Sequence, residues 1–163
     1  MADPLSIGAS IAGLITISAQ ICIAVSNFAK ATIGAPKSVH KLASELKSLN
    51  LVFSEVQKII LKPASNNKPN PVRMCMIRLE GLTTILTDCV KVFSTLQNLV
   101  DNATKAPVPA DGIRLWEKMK WAWNESTLQG LLEDLIGYKQ NLSLMLNIVQ
   151  WYVKDLSPKT NRY

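Results

Sequence analysis

From Pro4 to Ala29 the chain runs for 26 residues without a charged side chain. A helix of that length, at about 1.5 Å per residue, is long enough to cross the hydrocarbon of a bilayer. The stretch therefore has to be placed before anything else: a secretory leader, a permanent anchor, or one helix of a folded bundle. A leader carries positive charge ahead of its apolar run, and Asp3 stands there instead. A permanent anchor is more uniformly apolar, whereas Ser6, Ser10, Thr16, Ser18, Gln20, Ser26 and Asn27 dilute this one. The reading is a bundle helix, with conditional entry into membrane as the sharper alternative.

Its wheel separates a bulky side from a small one. Ile7, Ile11, Leu14, Ile15, Ile17, Ile21, Val25 and Phe28 share one broad side. Gly8, Ala9, Ala12, Gly13, Thr16, Ala19, Gln20 and Asn27 hold the other, with Leu5 and Ile23 intruding. A surface helix normally carries Lys and Glu outward, and this one carries neither. Either the helix is central, with neighbours on most sides, or it changes solvent. Small residues at Gly8/Ala12 and Ala9/Gly13 would permit close helix approach in lipid.

The remaining periodicity is helical. After the Gly34-Ala35-Pro36 break, Val39, Leu42, Leu46, Leu49, Phe53, Val56 and Ile60 keep the 3–4 spacing of one stripe in a helix from about Pro36 to Leu61. Lys37, Lys41, Lys47, Lys58 and Lys62 fall on its other side. A third helix is expected from about Val72 to Asp101, burying Ile77, Leu82, Ile85, Leu86, Cys89, Val92, Phe93, Leu96, Leu99 and Val100. A short helix from Gly112 to about Ala122 would carry Trp116 and Trp121, with Trp123 beside it. A last helix runs from about Glu125 to Leu156 on Leu128, Leu131, Leu132, Leu135, Tyr138, Leu142, Met145, Leu146, Val149, Tyr152, Val153 and Leu156. No bounded apolar–polar alternation occurs, so the fold class is all-α: an antiparallel helical bundle of four long helices plus one short helix. It is read as a single domain over residues 1–158, with 159–163 a frayed tail or the start of a linker.

Charge is unevenly spread. The net charge is +6, yet residues 1–36 and 79–163 each sum to zero, so residues 37–78 hold the entire surplus. The lysine side of the second helix is either a solvated face or a contact for anionic lipid, where each basic residue contributes about 1 kcal/mol. No recognition-helix or base-stacking pattern points to nucleic acid.

Catalytic chemistry is hard to build here. His40 is the only histidine, and Cys22, Cys75 and Cys89 lack metal-ligand spacing, so no metal or cofactor is expected. The cysteines read as free thiols of a reducing cytosol. Gly8 and Gly13 lack the Lys-Ser/Thr of a phosphate loop, and no Gly-x-Ser-x-Gly elbow occurs. Glu133 and Asp134 are neighbours, pointing about 100° apart on a helix. The expectation is a protein that is not an enzyme.

Three segments carry a family likeness. MADPLSIGASIAGLITISAQ at Met1–Gln20, the Ala35-Pro36-Lys37 break, and KMKWAWNESTLQGLLEDLIGYKQNLSLMLNI at Lys118–Ile148 resemble the N-terminal domain of fungal STAND (NLR-like) proteins, one of the HeLo-like helical domains. The resemblance implies an effector module ahead of nucleotide-binding and repeat domains in the same polypeptide. Such a module self-associates on activation, moves from the cytoplasm to plasma-membrane lipids and causes cell death. It also implies that the uncharged first helix attacks the membrane, through Leu5, Ile7, Ile11, Leu14, Ile15, Ile17, Gln20, Ile21, Val25 and Phe28. The rivals are a soluble helical adaptor without membrane activity, and a domain that has lost killing and only shields its receptor.

Overall fold

The computed structural model describes residues 4–31, 36–61, 79–105 and 125–155. They form four helices: α1 (Pro4–Ala31), α2 (Lys37–Leu61), α3 (Leu79–Lys105) and α4 (Glu125–Asp155). No strand occurs among the described residues, and the protein is an all-α bundle. α1 opens on a proline, whose missing N–H costs nothing in a first turn. The first turn of α2 closes when the Val39 N–H donates to the Pro36 carbonyl, 3.1 Å away.

Each helix occupies a corner. α1 packs on α2 and α3, and α4 packs on the same two. α1 and α2 are antiparallel: Gly8 lies beside Gln57, Ile15 beside Asn50 and Cys22 beside Ala43. α2 and α4 run the same way, because Ser38 meets Glu125 and, further along both, Glu45 meets Lys139. α2 and α3 stand at opposite corners. Phe53 and Phe93 bridge that diagonal edge to face, with ring centroids 6.2 Å apart and an interplanar angle of 80°.

One continuous core results. All seven apolar residues of the expected α2 stripe are buried. In α3, Leu82, Leu86, Cys89, Val92, Phe93, Leu96 and Val100 are buried, and Ile85 and Leu99 pack partly against them. In α4, Leu128, Leu131, Leu132, Leu135, Leu142 and Val149 are buried, with Tyr138 and Leu146 at the margin. Each fully buried Leu, Ile or Phe contributes roughly 1.5–3 kcal/mol of transfer free energy.

Two expectations change. α1 is a corner helix and not a central one: one side is open. Ile17, read as part of the buried side, is 39% exposed, because it lies at the edge of the arc that faces the bundle. α3 also continues one turn past Asp101, to Lys105. The expected start of the third helix at Val72, Ile77, Lys62, the short tryptophan helix and the side chains of Tyr152, Val153 and Leu156 lie outside the described residues.

Candidate functional site

α1 is the only described helix long and apolar enough to cross a membrane, and only 33% of its most apolar window is buried in the bundle. Ile7, Ile11, Leu14, Ile21 and Val25 lie against the core, while Ile15 and Phe28 are half-buried. Leu5 and Ile23 are 74% and 61% exposed, and Ala9, Ala12, Gly13, Thr16, Gln20 and Asn27 complete an uncharged outer face. Two hydroxyls on that face turn back onto their own helix. Ser10 donates to the Ser6 carbonyl and Thr16 to the Ala12 carbonyl, both at 3.0 Å. The face therefore asks less hydrogen bonding of its surroundings than its composition suggests.

The inner edge of α1 is held by a ladder that periodicity did not reveal. Gln57 Nε2 donates to the Gly8 carbonyl (3.2 Å). Asn50 Nδ2 donates to the Ile15 carbonyl (2.9 Å) and to Ser18 Oγ (2.8 Å). Ser18, fully buried, donates in turn to the Ile15 carbonyl at 3.0 Å. The Cys22 thiol points at the Ala43 carbonyl, 3.5 Å away. The rungs recur every seven residues on both helices, the period at which an antiparallel pair presents the same edge. Gly8 sits close under Leu61 at its rung: a β-carbon there would lie 2.7 Å from Leu61 Cδ2 and push that side chain aside. A β-carbon on Gly13 would meet nothing within 4 Å. The one signal available in sequence was the pair Asn50 and Gln57, seven apart at the edge of an apolar stripe.

The α2 lysines stand apart from this ladder. Lys37, Lys41, Lys47 and Lys58 are all exposed on the outer side of α2, with His40. Lys58 pairs with Glu55 at 2.7 Å on the surface. Lys37, Lys41 and Lys47 have no ion pair among the described residues.

Among the described residues no cluster of His, Cys, Asp and Glu could hold a metal. The Cys89 thiol is pushed up to about 12 by burial, with Asp88 adding to the effect, so it stays neutral and inert at physiological pH. Burial, then Asp134 and Asp88, also raise the Tyr138 hydroxyl.

No curated protein and no solved structure matches the chain. The family model for the N-terminal region of pigment biosynthesis cluster protein PigL matches residues 2–160. Because that span contains all four helices and the ladder between the first two, the chain belongs to the PigL N-terminal family.

Proposed function

We propose that this domain is a membrane-acting helical module of the HeLo-like kind, in which α1 leaves the bundle after self-association and enters lipid. By the sequence resemblance it serves a fungal NLR-like receptor, ahead of nucleotide-binding and repeat domains, and passes from cytoplasm to plasma membrane to cause cell death. The observation that carries the reading is the outer face of α1: uncharged from Leu5 to Asn27, yet open on a bundle whose other helices carry charge outward. The neutral rungs agree with it, since breaking them strands no ion in either environment.

Gln20→Glu tests it. Gln20 is exposed, so the change is expected to cost the folded bundle within about 0.5 kcal/mol. Midway along an inserted α1, a carboxylate costs roughly 2.5–3.5 kcal/mol per helix. The expected result is a variant with parental melting temperature that no longer releases dye from vesicles. Undiminished leakage by the variant, or no leakage by the parent, favours the soluble adaptor.

A further inference from the structure

The outer sides of α2 and α4 complement each other, although within one chain they face away from the bundle at different corners. α2 exposes Lys37, Lys41 and Lys47 and then Leu51, which is 65% exposed. α4 exposes Glu133 and Asp134 and then Leu144, Ile148 and Trp151, which are 60%, 43% and 62% exposed. The last three follow i, i+4, i+7 and so form one stripe. Lys41 and Lys47, like Glu133 and Asp134, have no ion pair among the described residues.

Spacing along the two stripes matches as well. α2 and α4 are parallel. Lys41 and Leu51 are ten residues apart on α2, and Asp134 and Leu144 are ten apart on α4. A second copy turned about an axis parallel to the helices therefore sets its α4 against the first copy's α2 with Lys41 on Asp134 and Leu51 on Leu144.

We propose that the lysine–leucine stripe of α2 docks on the acidic–apolar stripe of α4 in another copy of this chain. Two different patches meet, so each copy has one of each free and the contact repeats into a ring or an open array. The inference deepens the proposed function by supplying its self-association, and it assigns the lysines to a protein contact where anionic lipid was the other candidate.

Charge exchange tests it on the 163-residue chain. Lys41→Glu/Lys47→Glu and Glu133→Lys/Asp134→Lys alter exposed groups, and unchanged circular dichroism would show both variants folded. Sedimentation velocity over a concentration series is expected to show association by the parent, weakened about tenfold or more in each variant. An equimolar mixture of the two regains association, because each supplies the patch that the other now fits. Leu144→Gln/Ile148→Gln, which leaves charge untouched, is expected to weaken it too. A mixture that stays monomeric overturns the proposal. So does a lysine variant that associates like the parent while losing binding to phosphatidylserine vesicles, which gives the stripe to lipid. Gln20→Glu separates the two claims: it is expected to associate normally, and persistent leakage by that variant sinks the α1 reading while leaving the interface standing.

Discussion

α2 holds a neighbour on each side, and it holds them by different means. Towards α1 it offers amides and a backbone carbonyl, all neutral. Towards α4 it offers Glu45, paired with Lys139, and Ser38, which donates to Glu125 at 3.4 Å. The Glu45 and Lys139 side chains are only 17% and 24% exposed. Parting α2 from α4 leaves two ions to be rehydrated, and burying one without the other is costly. Parting α2 from α1 leaves carbonyls that already accept from their own helix. The same helix thus meets one neighbour through neutral groups and the other through an ion pair.

The strongest way to break the comparison is to break the bundle itself. Leu135 is fully buried in α4, and Leu135→Asp places a lone carboxylate there, which is expected to unfold the protein, scored as lost helicity. Next comes the ion pair. Lys139→Met strands Glu45 and is expected to cost about 3 kcal/mol in urea denaturation, while Lys139→Met with Glu45→Leu recovers most of it.

The neutral contact should yield less. Asn50→Leu removes two hydrogen bonds and leaves the Ser18 hydroxyl its own bond to Ile15, for an expected loss of about 1–2 kcal/mol. Hydrogen exchange is expected to quicken in α1 and not in α4. Equal quickening in both would erase the distinction between the two contacts. Smallest are the glycines. Gly13→Ala fills open space and is expected to gain about 0.5–1 kcal/mol of helix propensity. Gly8→Ala is expected to gain nothing, because Leu61 has to swing aside. Thermal melts of the two variants measure the difference.

Legibility in the sequence follows the same divide. The α2 stripe could be read to the residue because lysines mark its outer side, so the boundary of the buried arc is written in charge. α1 has no such mark, and Ile17 was placed on the wrong side of an edge that no charge defines. The lysine side of α2 was legible; the acidic and apolar stripe on α4 was not, since Glu133 and Asp134 look like any solvated pair in the sequence alone. The ladder was hidden for another reason. Asn50 and Gln57 are ordinary helix residues locally, and their acceptors lie 35 and 49 positions away in the chain. Periodicity reports which way a side chain points and nothing about what it finds there.

A ladder with a seven-residue period is also ambiguous. Slid by one repeat, about 10.5 Å, α1 would still offer carbonyls to Asn50 and Gln57. Two small residues remove the ambiguity. In either slipped position Asn50 would face Ile11 or Val25 where it now finds the Ser18 hydroxyl. In one of them Ile15 would come to the place of Gly8, where even a single added methyl has to push Leu61 aside. Ser18 and Gly8 are thus the index marks of the α1–α2 pair, one chemical and one steric, and they let a collapsing chain tell the right alignment from its two nearest copies.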